Sequence, residues 1–231
     1  DLIVKFQDTL TSRARVSDLA AKFENDTVAI IGLGGTGGYL LDFLVKTRVR
    51  EIRGFDLDAY HVHNAFRSPG RLDPSDLGKT KAEVYQSRYE NFRAGLTLTR
   101  KFIDASSVEE MKGVTFAFIC VDKGNSRAGI FELLLSMGIP FIDVGLGLNR
   151  KKGPLNGLIR ATYYSTEDGK KVLKQVVTRI KNGEKVVTQR RPGPDGYICD
   201  VEGVPPSLYH VELLQGAATV CITEGEKDAN T

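Results

Sequence analysis

The sequence has no apolar run of about eighteen residues, the length that a membrane-spanning helix requires. Its longest candidate is the short stretch over 115–121. No secretory signal is visible, and a chain starting at Asp1 reads as an excerpt or a processed form. Cysteines are scarce: Cys120, Cys199 and Cys221 are scattered and form no C-x-x-C pair. That excludes a disulfide framework and a four-cysteine zinc site, and it fits a reducing cytoplasm. Nor is there a long block of one charge sign. Lys and Arg number 32 against 29 Asp and Glu, for a net charge of +3, so no basic stripe marks a nucleic-acid surface. His61, His63 and His210 have no Cys or Asp spacing that builds a metal site. Repeats and low-complexity tracts are also missing.

What remains is the composition of a soluble globular chain, 41% hydrophobic and 26% charged over 231 residues. That length suits one substantial domain with a smaller appendage. Strand-like runs over 27–31, 51–55, 96–102, 114–121 and 140–144 alternate with helical patterns over 37–46, up to Tyr89, and over 126–137. Such alternation predicts an α/β, Rossmann-like, mostly parallel sheet with helices on both faces. After Gly145 the texture changes. Residues 158–164 read as a strand and 167–191 as exposed hairpins, the Gly- and Pro-rich stretch 192–207 as a loop, and 208–222 as a terminal helix. The expected division is a nucleotide-binding domain over 1–165 and a C-terminal extension over 166–231 packed on it.

The first chemical signal is the turn Gly32-Leu-Gly34-Gly35-Thr-Gly37-Gly38, directly after a strand. Glycines there permit a tight turn and let backbone amides approach phosphate oxygens at a helix N-terminus. Asp56 lies about twenty residues further on, at the end of the second strand, placed for a ribose hydroxyl. This much fits NAD or FAD as well as ATP. The downstream polar set, Asp56, Asp58, Asn64, Arg67, Lys81 and Asp122, favours a nucleoside triphosphate reacting at its α-phosphate. That reaction needs cations against developing charge and a carboxylate for magnesium. Arg67 and Lys81 could supply the cations. Asp122 ends an apolar run, at the strand edge where open α/β sheets bind ligands.

The segments IIGLGGTGGYLLDFL, EIRGFDLDAYHVHNAFR, GKTKAEV and FAFICVDKGNSR resemble, in order and spacing, the motifs of the ThiF/MoeB/HesA and ubiquitin-activating enzyme superfamily. The wording is most similar to bacterial ThiF-type adenylyltransferases that work with ubiquitin-like proteins, and the resemblance covers roughly 8–163. It implies that Gly32, Gly34, Gly35 and Gly37 form the phosphate turn and that Asp56 holds the ribose, with Asp58 beside it. It also implies that Asn64, Arg67 and Lys81 meet the triphosphate and that Asp122 takes Mg2+. Tyr60, or a shifted Val62, stands where the family has valine, and Lys123 replaces the common asparagine after Asp122. An upstream segment, DTLTSRARVSDL, resembles the one carrying an arginine that reaches a partner protomer's nucleotide. Arg13 is the preferred candidate and Arg15 the alternative, which implies a homodimer. An additional N-terminal domain commonly precedes this region in the family. The usual N-I-Q-x-A-x-L-N helix is not recognisable in 208–222.

The implied reaction is adenylation of the C-terminal carboxylate of a ubiquitin-like or sulfur-carrier protein with ATP and Mg2+. Acyl transfer to a cysteine can follow, with a conjugating enzyme as a further partner. Cys199 in a Gly/Pro-rich loop is the candidate nucleophile, although Asp200 and Glu202 would raise its pKa. Cys120 sits in an apolar strand and Cys221 in an apolar helical pattern, and both read as core. Two alternatives stand beside this reading: an NAD(P)-dependent Rossmann oxidoreductase, and a non-catalytic pseudoenzyme subunit that binds a carrier protein.

Overall fold

The computed structural model describes residues 3–122, 124–150, 156–167, 170–181, 184–193 and 196–198. The candidate Cys199 and the helix expected over 208–222 lie outside the described residues. Two short helices, α1 (Thr9–Arg13) and α2 (Ser17–Ala21), lead into β1 (Thr27–Ile31), α3 (Gly35–Leu44) and β2 (Glu51–Phe55). There follow α4 (Val62–Ala65), a single 3-10 turn over Pro74–Asp76, α5 (Lys81–Tyr89), β3 (Leu96–Thr99) and α6 (Val108–Met111). The series continues through β4 (Phe116–Ile119), α7 (Gly124–Ser136) and β5 (Phe141–Asn149) to β6 (Asn156–Glu167), β7 (Lys170–Lys181), β8 (Glu184–Gly193) and β9 (Gly196–Ile198).

The nine strands among the described residues form one sheet in the order β3-β2-β1-β4-β5-β6-β7-β8-β9. The pairs among β1 to β5 are parallel, and from β5 onward each strand pairs antiparallel with the next. The α/β, Rossmann-like architecture is therefore present, and the hairpins expected within 167–191 are the β7 and β8 strands. The expected strand over 140–144 is longer: β5 runs through Gly145 and Gly147 to Asn149, held by its ladder with β6.

Alternation along β1 shows why the sheet is covered on both faces, because successive side chains point to opposite sides. Val28 and Ile30 pack with Leu41 of α3, with Val45 just after it, and with Ala82, Val84 and Tyr85 of α5. Ala29 and Ile31 pack instead with Met111 of α6 and with Ile130, Leu133 and Leu134 of α7. A strand buried on both faces has to be apolar throughout, which is why β1 reads TVAII. Strand order reverses at β1, so the loops after β1 and β4 part and leave a crevice between them.

Arg93 closes the opposite end of the sheet and is 1% exposed. Its guanidinium donates to the carbonyls of Leu44, Val49, Arg50 and Ala94, of which Leu44 ends α3. Burial pushes its pKa down to about 10, so it is still a cation at neutral pH, placed at a helix C-terminus where positive charge is favoured. Arg93→Met keeps the volume but strips those carbonyls of their donor. We expect it to lower unfolding stability by about 3 kcal/mol, measured by urea denaturation.

Candidate functional site

The turn after β1 is built by two glycines. Gly32 has φ +97°, and a Cβ there would meet the carbonyl carbon of Cys120 at 2.9 Å. A Cβ on Gly37 would collide with the carbonyl oxygen of Gly32. Bare backbone at both positions lets the chain double back beside β4 and enter α3 at once, with Gly34 as N-cap. The first amides of α3 have no intrahelical partner and no side-chain cap. They open toward the crevice, where helix N-termini attract anions.

Asp56 locks this turn from β2. It is 9% exposed; its Oδ2 accepts from Leu33 N at 2.7 Å and its Oδ1 from Asp58 N at 2.8 Å. Lys81 Nζ lies 3.2 Å from Asp56 Oδ1 and 2.7 Å from Asp58 Oδ2. Lys81 is the first residue of α5, whose N-terminus is closed by a capping box: Glu83 Oε2 accepts from Thr80 N at 2.7 Å, and Thr80 Oγ1 accepts from Glu83 N at 3.2 Å.

Arg67 approaches from a second direction. Asn64 is buried in α4, where its Oδ1 accepts from His61 N at 2.8 Å and its carbonyl accepts from Arg67 N at 3.1 Å. The side chain of Asn64 thus holds the short helix that carries Arg67. The Arg67 side chain lies against the start of α3, since a Cβ on Gly35 would come within 3.5 Å of its Cδ. Arg67 is exposed and forms no ion pair among the described residues.

These groups line one cleft of about 780 Å³, the size of a small-ligand site. Gly32, Gly34, Gly35, Asp56, Asp58, Arg67, Lys81 and Asp122 are all in its wall. Of the other sequence candidates, Gly37 and Asn64 lie behind the wall as supports, and Arg13 sits exposed on α1. Asp122 is exposed at the end of β4 and makes no ion pair among the described residues. The far end is more apolar, with Leu57, Phe102, Ile103, Val121 and Ile130, a setting for a planar base.

Sequence reasoning missed the cluster beneath Asp122. Asp143 in β5 is 2% exposed and paired with two arginines: Arg127 Nε at 3.0 Å from its Oδ1 and Arg160 Nη2 at 3.0 Å from its Oδ2. Arg127 Nη2 also donates to the carbonyls of Val121 at 2.7 Å and Val144 at 3.3 Å, tying together the strand ends that flank Asp122. One signal was available, an acid inside the apolar run Phe-Ile-Asp-Val, since a buried acid needs a partner. No group of three or more His, Cys, Asp and Glu able to hold a metal occurs among the described residues. No helix among them is long and apolar enough to cross a membrane.

The model of the ThiF family matches residues 7–176. The chain belongs to the ThiF family. It is similar to ubiquitin-like modifier-activating enzyme 5 of Dictyostelium discoideum, 26% identical over 148 residues, which is 58% of this chain and 39% of that protein. It is also similar to tRNA threonylcarbamoyladenosine dehydratase of Escherichia coli (strain K12), 24% identical over 127 residues, 53% of this chain and 47% of the relative. This ThiF-family chain spans less than half the length of either. Among solved structures, the E. coli dehydratase TcdA in complex with ATP shares the fold with a TM-score of 0.54 at 19% identity, over 64% of this chain and 68% of that one.

Cys120 is the one cysteine in the described residues, and it lines the cleft. Burial first, then the Asp143 carboxylate, pushes its thiol up to about 12, against the opposing pull of Arg127. A group raised in the folded state favours folding while it stays protonated. That contribution is therefore complete below its unfolded value of 9.0 and is lost as pH rises through about 12. At pH 8 the native thiol is on the order of one part in 10,000 thiolate. Iodoacetamide at pH 8 is expected to leave Cys120 unmodified in the native protein and to modify it after denaturation, read by peptide mass mapping.

Proposed function

We propose that this chain binds MgATP and adenylates the C-terminal carboxylate of a ubiquitin-like or sulfur-carrier protein. The observation that supports this reading is the convergence of amides at the start of α3, Lys81, Arg67 and Asp122 on one cleft. An NAD-dependent hydride transfer has no use for an arginine and a carboxylate in the same cleft that form no ion pair among the described residues. The relative solved in complex with ATP has the same fold.

In the proposed reaction a carboxylate oxygen of the carrier attacks the α-phosphorus, forming a carboxyl–phosphate bond while the bond to the bridging oxygen breaks and pyrophosphate leaves. The α3 amides hold the phosphates in place. Arg67 and Lys81 neutralise charge that builds on the leaving pyrophosphate. Asp58, 2.7 Å from Lys81, fixes that ammonium and lies beside the ribose site at Asp56. The residues present fit Mg2+, which takes one or two carboxylates plus phosphate oxygens and needs no protein cage. Asp122 is the carboxylate that would hold it, and the ion would supply charge neutralisation between the phosphates. Arg13 on α1 serves the nucleotide of a partner protomer in a homodimer. Where a thioester follows, Cys199 is its site rather than the half-buried Cys120, and a conjugating enzyme accepts the product.

ATP–pyrophosphate exchange tests the reading. Carrier-dependent exchange should fall about 100- to 1,000-fold in Arg67→Ala and in Lys81→Ala. In Asp122→Asn it should need far more magnesium while the thermal melt of the apo protein stays unchanged. Exchange that is absent with every carrier, or unaltered in Asp122→Asn, sinks the proposal. An Arg13→Ala protein regaining activity when mixed with Lys81→Ala would reveal a site completed across two protomers.

A further inference from the structure

Of the cations in the cleft wall, Lys81, Lys101 and Arg127 each pair with a carboxylate, whereas Arg67 forms no ion pair among the described residues. The placing of Arg67 therefore has to come from its backbone. That backbone has little local support. α4, just before it, has only four residues, too few for a helix to be stable by itself. After it comes a Pro- and Gly-rich segment in which Gly70 takes φ +86°. Such a segment stays loose unless another element holds it.

α5 supplies the hold. Lys81, Tyr85 and Arg88 are spaced i, i+4 and i+7, which puts them along one face of that helix. Lys81 reaches the cleft. One turn on, the side chain of Tyr85 is hydrogen-bonded to that of Ser68, the residue after Arg67. At the next turn Arg88 Nη1 donates to the carbonyl of Pro69 at 3.0 Å, while its Nη2 donates to Asp76 Oδ2 at 3.0 Å and to the Tyr60 hydroxyl at 3.3 Å. One planar fork thus spans both ends of the loop 69–76, a geometry that an ammonium does not present. The same guanidinium faces the rings of Tyr60 and Tyr85, 5.2 and 5.5 Å from their centroids. Burial follows the grip: Ser68 and Pro69 are buried, while Arg67 and Gly70 on either side are exposed.

We propose that Arg88 is a positioning residue for the phosphate site, clasping Pro69 from α5 and so fixing the backbone from which Arg67 reaches the outer phosphates of the nucleotide. The proposal rests on the reading of Arg67 as a phosphate-binding cation. One helix then sets both cations, Lys81 directly and Arg67 through the clasp. Arg88 is outside the cleft wall and about 10 Å along α5 from Lys81, so its effect on the nucleotide passes through Arg67.

Calorimetric affinities of the full chain for ATP and for AMP, both with magnesium, test this. AMP lacks the outer phosphates. Arg67→Ala and Arg88→Met should each weaken ATP binding about tenfold and leave AMP binding unchanged. The double variant should bind ATP no more weakly than Arg67→Ala alone, because the clasp then has no arginine to place. Asp76→Ala releases the clasp from its other side and should show the same pattern at about threefold, which keeps the test decisive if Arg88→Met does not fold. A parallel loss of AMP binding, or a further tenfold loss in the double variant, marks a merely structural role and overturns the proposal. So does ATP binding that Arg67→Ala weakens but neither Arg88→Met nor Asp76→Ala changes. If Arg67→Ala binds ATP as tightly as the unaltered protein, the premise and the proposal fall together, and pyrophosphate exchange decides adenylation separately.

Discussion

One buried carboxylate holds the site together. Asp56 accepts from the turn after β1, accepts from its own loop and pairs with the first residue of α5. Three segments far apart in sequence are thereby fixed around one point at the crevice where strand order reverses. Removing one partner of a buried pair leaves an uncompensated charge, at a cost of about 3–5 kcal/mol. Asp56 and Lys81 are therefore coupled: each is tolerable in the interior only because the other is there. A carboxylate offers about four lone-pair positions, so two backbone donors and an ammonium leave little to spare. On the proposed reading a ribose hydroxyl at Asp56 would share an acceptor already in use, and Asp58, more exposed, stands next to it.

The rest of the cleft divides by polarity around that point. On the α3 side are backbone amides and Arg67, held down by the short helix that Asn64 caps. Toward β3 and α7 are Leu57, Phe102, Ile103 and Ile130. A nucleotide has the same asymmetry, anionic at one end and planar at the other. The polar end is preorganised by packing behind it, with Tyr85 of α5 against Gly38 and Arg88 stacked over Tyr60 and Tyr85.

Much of this was legible in the sequence because it depends on local chemistry. A glycine turn between an apolar run and a helix has one common structural meaning, and Asp56 and Asp122 at strand ends follow from the fold's direction. The capping box at Thr80 and Glu83 was equally readable, and it places Lys81 at the start of a helix. Roles decided by long-range contact were not readable. Asn64 reads as a ligand by pattern, and the structure adds a local contact, its Oδ1 accepting from His61 N. The long-range cluster is Asp143 and Arg160, which the β5–β6 register brings together, with Arg127 reaching Asp143 from α7. The reach of β5 was hidden because Gly145 and Gly147 break the apolar pattern, although antiparallel pairing carries the strand straight through them.

That extra length is a consequence of the phosphate turn itself. Gly32 approaches Cys120 and Val121 so closely that a Cβ would sit 2.9 Å from one and 3.1 Å from the other. Cys120 N is already committed to Ile31 O at 2.8 Å. Past this point the chain of β4 cannot continue beside β1 and the turn at once, so its ladders end at Ile119, ahead of Asp122. Its neighbour β5 meets no such obstacle and runs on for six more residues against β6. The crowding that brings backbone amides to a phosphate thus also ends one strand early and bares the edge of the next. The tight glycine turn and the bared strand edge are two results of a single close approach.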